Sequence, residues 1–199
     1  MITYFSELPE TPIVITDSRP HVLVFVNCSG EITVDLQKPG AKAYIRALYY
    51  LKGADSHSLK TYQLHTARDT TSDLLVKAVL DGESSFAYEG TIGIPPHSHG
   101  SNAYQKNQNL LLSAAAVVDT KPYLEIAAND VRCTHGATSG PLSNEAIWYL
   151  RTRGITASAA TELLIQGFVY DLYQGLEGVV ESDERDGLQK VLSAVMFHD

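Results

Sequence analysis

The sequence predicts a mainly β body over residues 1–140, followed by a small α-helical domain over residues 141–199. Three observations favour this fold class. Apolar and polar residues alternate through much of the body, which is typical of strands that bury one face. Turn-forming residues separate the alternating stretches at intervals typical of a sandwich, a barrel or a solenoid. After Pro141 the apolar spacing lengthens to that of helices.

The alternation is clearest in several short stretches of the body. They cover residues 22–26, 32–36, 59–63, 74–80 and 86–94. Turn signals lie between them at Ser29-Gly30, Pro39-Gly40, Lys52-Gly53, Asp81-Gly82 and Pro95-Pro96. No strict repeat is visible, so a solenoid built from this sequence would have to be irregular.

Three helices are predicted after Pro141. Ser143 is placed to cap the first helix, and Gly154 is placed to follow its last turn. Thr156 or Ser158 can begin the second helix. Its apolar residues recur at helical spacing and are Ala160, Leu163, Leu164, Gly167, Phe168 and Leu172. A third helix is expected from Glu184 to Phe197, after a charged break, with an apolar stripe of Leu188, Val191, Leu192 and Val195.

Composition disfavours several classes of function. Of the 199 residues, 44% are hydrophobic and 19% are charged, as in ordinary globular domains. The formal net charge of −8 disfavours nucleic acids and anionic membranes as general partners, because phosphate surfaces select basic proteins. No apolar run approaches the length of about 18 residues that a transmembrane helix needs, and we expect no secretory signal. The two cysteines, Cys28 and Cys133, make no disulfide framework, so a cytoplasmic location is the simplest interpretation.

The densest group of polar residues is the stretch from Asp130 to Gly140, which contains Cys133 and His135. Because these two lie two positions apart, a strand would project both side chains to one face. Thiolate and imidazole groups suit zinc, iron or an iron–sulfur cluster. Two ligands do not complete a metal site, however. The alternative is a buried thiol beside a hydrogen-bonded histidine.

His97 and His99 repeat the same spacing, but the proline and glycine residues around them indicate a surface loop. A small metal-dependent all-β enzyme is a further hypothesis, and it requires these two histidines to converge with Cys133 and His135. Nucleotide chemistry has no support, since the sequence contains neither a phosphate-binding loop nor a dinucleotide fingerprint. Cysteine catalysis is disfavoured because no orienting carboxylate is evident.

Four stretches resemble a known family. They are QKNQNLLLS at 105–113, VDTKPYLEI at 118–126, DVRCTHGAT at 130–138 and WYLRTRGI at 148–155. In this order and spacing they are similar to the core of the SufB/SufD family of iron–sulfur cluster assembly proteins. Weaker similarity extends back to His65, so the resemblance covers most of the chain.

The resemblance implies a right-handed parallel β-helix, or β-solenoid, followed by a C-terminal helical domain. It also implies a non-catalytic scaffold on which an iron–sulfur cluster is held transiently and shared across a dimer. The implied partners are a SufC-type ABC ATPase and either a SufB-like homologue or a second copy of this chain. The large N-terminal helical region of longer members is expected to be missing here.

Within the family, the resemblance is to SufD rather than to SufB. SufB-like members carry a cysteine near Asn107 and a glutamate at the position of Gly136, whereas SufD-like members have the Cys-x-His-Gly run seen from Cys133 to Gly136. The resemblance therefore implies that His135 faces a partner chain across an interface. Cys133 is the second candidate ligand.

The resemblance also implies an ATPase-docking region in the helical tail. Its candidate residues are Tyr149, Arg151, Arg153, Gly154 and Phe168. Core packing is the alternative for the two aromatic residues, and stabilisation of a helix end is the alternative for the two arginines. A stand-alone homodimeric scaffold is the alternative to an ATPase-dependent subunit.

Overall fold

The computed structural model describes residues 2–197 and places a body of strands before three helices in that range. The strands are β1 (Ile2–Phe5), β2 (Ile13–Ile15), β3 (Pro20–Val26), β4 (Gly30–Leu36), β5 (Lys42–Leu51), β6 (Ser56–Leu64), β7 (Thr71–Leu80), β8 (Ser85–Ile94), β9 (Asn102–Leu111), β10 (Val117–Ile126) and β11 (Arg132–Pro141). The helices are α1 (Asn144–Thr152), α2 (Ala157–Tyr170) and α3 (Ser182–Phe197). The change from strands to helices falls where the sequence predicts it.

Successive strands alternate between two sheets, and every described pairing is parallel. The first sheet has the order β1-β3-β5-β7-β9-β11, and the second has the order β10-β8-β6-β4-β2. Each turn therefore adds one strand to each sheet and stacks in register on the turn before it, as the column Ala43, Ser72, Ala103 and Cys133 illustrates. This architecture is a parallel β-solenoid, so the predicted fold class is confirmed and the sandwich and barrel are excluded.

Most of the solenoid interior is apolar. The inner faces of the two sheets contribute Leu23, Phe25, Ile32, Val34, Ile45, Leu59, Leu74, Val76 and Phe86, all of them buried. The ring centroids of Tyr49 and Phe86 lie 4.3 Å apart. Because burying one large apolar side chain contributes about 1.5–3 kcal/mol, this row of contacts stabilises each turn against the next.

One corner of the interior is polar. The Nδ1 atom of His65 lies 2.7 Å from Thr70 Oγ1, and its Nε2 atom lies 2.8 Å from Ser72 Oγ. Thr70 Oγ1 lies 2.9 Å from Ser101 Oγ, which continues the row into the next turn. Burial lowers the pKa of His65 to about 4, because the interior disfavours the charged imidazolium. His65 is therefore neutral near pH 7, and its two ring nitrogens are both engaged.

Stacked turns also impose a glycine. The backbone of Gly82 has a φ of +69°, and a Cβ at this position would lie 2.9 Å from the carbonyl oxygen of Gly53 in the turn below. Both the left-handed conformation and the close approach exclude a side chain. The Asp81-Gly82 turn signal in the sequence thus marks a point where two turns of the solenoid touch.

The helices cover the outer face of the first sheet. Outward-facing residues of its strands and buried residues of α2, α3 and the α2–α3 connection form one cluster: Val22, Val24, Leu48, Leu75, Val79, Ile165, Val169, Leu172, Leu176, Leu188, Leu192 and Met196. This cluster is separate from the solenoid interior. The division into two domains at residue 140 stays a prediction, since the helices and the first sheet share this buried surface.

Two buried cations of the first sheet bind the C-terminal end of α2, and we call them the α2 anchor. The side chain of Lys77 is 1% exposed, and its ammonium donates to the Phe168 carbonyl and, over 2.8 Å, to the Asp171 carboxylate. Arg46 donates to the Leu172 carbonyl over 3.0 Å. Carbonyls at a helix C-terminus lack intrahelical partners and carry partial negative charge, so cations stabilise them.

Both predicted ends of α1 and the predicted start of α2 are confirmed. Ser143 Oγ accepts from the Ala146 amide, and Thr156 Oγ1 accepts from the Ala159 amide. Gly154 follows α1 with a φ of +84°. No helix of the described residues is both long enough and apolar enough to cross a membrane.

The apolar stripe predicted for α2 is partly wrong. Leu163 is 47% exposed and Gly167 is exposed, whereas the buried residues of α2 are Ala160, Ile165 and Val169. Apolar residues occur on more than one side of α2, so spacing alone did not select the buried face. Contact with the first sheet selects it.

The prediction for α3 needs a smaller correction. The helix begins at Ser182, within the charged stretch, rather than at Glu184. Acidic residues in its first turn are favourable to the helix dipole, which explains why the charges do not break it. Leu188 and Leu192 are buried as expected, but Val191 is 39% exposed.

Candidate functional site

β10 and β11 are the last strands of their sheets. Among the described strands, β10 pairs only with β8 and β11 pairs only with β9. Most residues of both strands are exposed. We call the inner faces and free edges of these two strands the open end. An unpaired strand edge presents a row of backbone donors and acceptors, which is a template for pairing with another chain.

His135 lies on the inner face of the open end. It is in register with Gln105 of β9, which is 1% exposed inside the solenoid. His135 itself is exposed, because no strand of the described residues stacks above β11. Its imidazole is therefore accessible to a ligand that approaches the end of the solenoid.

Cys133 shares the inner face of β11 but is half-buried. It packs beside Ile92, Ile94 and Ala103. Burial raises the pKa of the Cys133 thiol, because the apolar surroundings disfavour a thiolate. Since the thiolate is the metal ligand, Cys133 is the weaker of the two candidates near neutral pH. The spacing of Cys133 and His135 predicts that both side chains point to one face of a strand, and the register of β11 with β9 agrees.

Buried polar side chains lie directly below the open end. Asn107 and Asn109 are buried on the inner face of β9, and their amides bond each other: Asn107 Nδ2 donates over 3.2 Å and Asn109 Nδ2 donates over 2.7 Å. We call these two residues the amide pair. The Thr120 hydroxyl of β10 donates to Asn107 Oδ1 over 2.9 Å, and Asn109 Nδ2 donates to Ser139 Oγ of β11 over 3.0 Å.

Large apolar side chains on β10 are exposed beside the open end. Val117 is 61% exposed, Tyr123 is 47% exposed, and Leu124 and Ile126 are each 39% exposed. We call these four residues the apolar rim. Leu124 and Ile126 lie on the inner face of β10, and Val117 and Tyr123 lie on its outer face. Exposed apolar surface on both faces of a free-edged strand is surface that a partner chain can bury.

A second exposed surface lies on α1, which has no buried residue. Trp148 is 67% exposed and Tyr149 is 55% exposed. The guanidinium of Arg153 lies 5.2 Å from the centre of the Tyr149 ring and donates to its hydroxyl over 3.3 Å. Arg151 and Gly154 are exposed as well. The docking role of these residues stays a prediction.

Phe168 differs from the other docking candidates. It is half-buried in the cluster between the helices and the first sheet. The Lys77 ammonium lies 4.3 Å from the centre of its ring and also bonds its carbonyl. Packing accounts for these contacts of Phe168, and a docking role stays a prediction.

His97 and His99 lie in the exposed connection between β8 and β9. The Nε2 atom of His97 is 3.0 Å from the Thr66 carbonyl. Within residues 2–197, no group of three or more His, Cys, Asp or Glu side chains is placed to hold a metal ion. The convergence with Cys133 and His135 that the metal-enzyme hypothesis requires is therefore not found in the described part of the chain.

A comparison with protein families decides the identity of this fold. The family model described as SUF system FeS cluster assembly, SufBD core domain, matches residues 27–168. The match runs from the turn after β3 into α2 and covers more than half of the chain. The chain belongs to the SufBD family. In this SufBD chain, the matched region includes the open end, the amide pair and α1.

Curated relatives agree with this assignment. The chain is 37% identical over 117 residues to the iron–sulfur cluster assembly protein SufD of Escherichia coli, which covers 59% of the chain and 28% of the relative. It is 35% identical over 139 residues to an iron–sulfur cluster assembly SufBD family protein of Synechocystis, covering 68% and 30%. A SufBD family protein of Porphyra purpurea is 30% identical over 125 residues, covering 62% and 26%. The chain spans less than a third of the length of these relatives.

The amide pair is the part of the candidate site that the sequence analysis did not predict. Amide side chains recur at Gln105, Asn107 and Asn109, which is the period of a strand face. That alternation of amides was the available signal. It was overlooked because a buried strand face is usually recognised by apolar residues.

Proposed function

We propose that this SufBD chain is a non-catalytic, SufD-like scaffold subunit of an iron–sulfur cluster assembly complex. The observation that carries the proposal is the exposed imidazole of His135 on the inner face of the last strand of a solenoid. A ligand in this position is accessible, and its surroundings are completed by whatever pairs with the open end.

The open end supplies the surface for a partner chain. Free edges of β10 and β11 offer backbone hydrogen bonds, and the apolar rim offers surface to bury. The partner is a SufB-like homologue or a second copy of this chain. Addition of strands to a free edge is a general mode of association, in which backbone bonds give affinity and side chains give specificity.

An iron–sulfur cluster is the cargo held at this interface. Iron in such clusters is bound by thiolates and, in some clusters, by imidazole. One imidazole does not hold a cluster, so His135 is one ligand and the partner chain supplies others. Cys133 is a secondary ligand whose raised pKa makes the thiolate costly to form. The cluster is shared and transient because its ligands separate when the two chains separate.

The exposed surface of α1 is the docking site for a SufC-type ABC ATPase. Tyr149, Arg151, Arg153 and Gly154 are exposed there, and Phe168 holds α2 against the sheet. Aromatic and arginine side chains are enriched where protein partners bind. The sequence itself has no phosphate-binding loop, so nucleotide hydrolysis would belong to the partner.

Two residues support a SufD-like rather than a SufB-like role. Asn107 is the nearest match to the cysteine that SufB-like members carry, and its side-chain amide is bonded within the amide pair. Gly136 stands where they carry a glutamate. Both cysteines are free thiols, which supports a reducing, cytoplasmic setting.

Replacing His135 tests the proposal. We expect His135→Ala to lose most of the iron and sulfide that the chain retains after anaerobic reconstitution, alone or with a SufB-like chain. Its melting temperature should stay unchanged, because His135 is exposed. His97→Ala is the matched control and should retain both iron and sulfide. Unchanged iron and sulfide content in His135→Ala would overturn the proposed role of this residue.

Co-purification tests the ATPase assignment. We expect the chain to retain a SufC-type ATPase on a column, and the double substitution Tyr149→Ala with Arg153→Ala to weaken retention at least tenfold. Lys60→Ala, on the outer face of the second sheet, is the control for a surface charge. Absence of association between the purified pair at micromolar concentration would remove the docking assignment.

A further inference from the structure

β11 is bonded to the rest of the solenoid along one edge, through its pairing with β9. It is paired along one edge only, and its inner face carries small residues, Ala137 and Ser139, beyond His135. Gly136 and Gly140 have no atom within 4 Å of the position of a Cβ. Glycine increases the backbone freedom of a strand, and exposed end strands open more readily than central ones. A side-chain contact with the strands below therefore restrains β11 beyond its backbone pairing.

The amide pair provides that contact. Asn107 and Asn109 are 1% and 4% exposed, and their two amides form a closed ring of reciprocal hydrogen bonds. Asn107 Nδ2 also lies 3.4 Å from the Val76 carbonyl in the turn below. This buried pair is held in one conformation, because breaking the bond from Asn107 Nδ2 would leave the buried oxygen of Asn109 without a partner.

The amide pair reaches both strands of the open end. Asn109 donates to the Ser139 hydroxyl of β11, and Thr120 of β10 donates to Asn107. The Thr120–Asn107 bond crosses the interior and joins the two sheets, whereas the Asn109–Ser139 bond joins β9 to β11 within the first sheet. Ser139 has the same side-chain direction as His135, four residues earlier, at a separation of about 13 Å along the strand.

We propose that Asn109, held by Asn107, is a positioning residue for His135. It fixes β11 through Ser139 and thereby fixes the imidazole and the free edge of the strand before a partner arrives. This inference rests on the proposed function, in which His135 is a ligand of the cluster. Ordering the edge in advance lowers the entropy that association must remove, and it gives the nascent cluster a ligand in a defined place.

Hydrogen–deuterium exchange of the isolated chain tests the positioning role. We expect Ser139→Ala to increase the exchange rate of backbone amides in residues 132–141 about tenfold, with β5 and β7 unchanged. Asn109→Ala should increase exchange in both β10 and β11. Ser139→Thr keeps the hydroxyl and should restore the native rate. Asn102→Ala removes an exposed side-chain amide of β9, the strand that carries Asn109, and should change the exchange rates little.

The imidazole signal of His135 in a nuclear magnetic resonance spectrum provides the second readout. We expect Ser139→Ala and Asn109→Ala to shift or broaden this signal, and Ser139→Thr to leave it native.

Native exchange and a native His135 signal in both alanine variants would overturn the proposal. Acceleration spread evenly over all turns would also overturn it, since that result indicates only a loss of global stability. A His135 signal that responds, together with a His135→Ala variant that keeps its iron and sulfide, would instead contradict the proposed function.

Discussion

His65 and His135 carry the same imidazole in opposite surroundings. His65 is 0% exposed and both of its ring nitrogens contact hydroxyl groups, whereas His135 is exposed on the last strand. Burial lowers the pKa of His65 to about 4 and keeps it neutral. Its role is therefore structural, and the accessible imidazole is that of His135.

The buried position of His65 makes stability depend on pH. The pKa of His65 is about 4 in the folded chain and about 6.5 in the unfolded chain, so the unfolded chain binds more protons between these values. Stability contributed by neutral His65 is present above pH 6.5 and is lost as the pH falls towards 4. We expect this loss to be on the order of 3 kcal/mol, measured by urea unfolding at several pH values.

Two substitutions separate this effect from the titration of other groups. His65→Gln should flatten the dependence of unfolding free energy on pH between 6.5 and 4, although it lowers stability at neutral pH. His97→Gln changes an exposed histidine and should keep the dependence. An unchanged slope in His65→Gln would show that His65 does not titrate as its burial requires.

At the residue scale, spacing and chemistry predicted only part of the site. The two-residue spacing of Cys133 and His135 correctly placed both on one strand face. The spacing could not indicate that Cys133 is half-buried while His135 is exposed, because this depends on which strand is the last. The amide pair was also missed, since partners such as Thr120 and Ser139 come from strands that meet only in the folded chain.

At the scale of elements, the strands that periodicity did not predict lack a clean alternation of apolar and polar residues. β5 is buried on both faces, since helices cover its outer side, so Lys42–Leu51 shows no clean alternation. β9 has an inner face of amides, and β10 and β11 are exposed on both faces. Helix ends were predicted better, because caps at Ser143 and Thr156 depend on local chemistry.

The α2 anchor leads to a prediction about the helical segment. Lys77→Met keeps the apolar stem of the side chain but removes the ammonium that bonds the Phe168 carbonyl and Asp171. Asp171 is 49% exposed and regains solvent, so the cost is limited to about 1–2 kcal/mol of unfolding free energy. Hydrogen exchange should increase at the C-terminal turn of α2, while the interior strands keep their protection.

A surface ion pair provides the control for the α2 anchor. Lys60 Nζ lies 3.7 Å from Glu89 Oε1, and both side chains are exposed. Lys60→Met should therefore change the unfolding free energy by less than about 1 kcal/mol. Equal effects of the two substitutions would contradict a special role for Lys77 in holding α2.

At the scale of the whole molecule, a stack of parallel turns has two ends that cannot be alike. The helices cover one outer face, and the last turn leaves β10 and β11 with free edges, an apolar rim and an exposed imidazole. Alternation alone could not distinguish this stack from a sandwich, since both bury alternate residues. The four stretches that resemble the SufBD core are what predicted a solenoid, and the family match over residues 27–168 agrees with that resemblance.

Hydrogen exchange on association measures the central claim directly. The chain would be followed alone at rising concentration and mixed with a SufB-like chain, with complex formation monitored by sedimentation. We expect new protection in residues 117–126 and 132–141, and none in β1 or β2 at the opposite end of the stack. An associated complex that leaves β10 and β11 unprotected, or protects the opposite end instead, would contradict the claim that the open end is the interface.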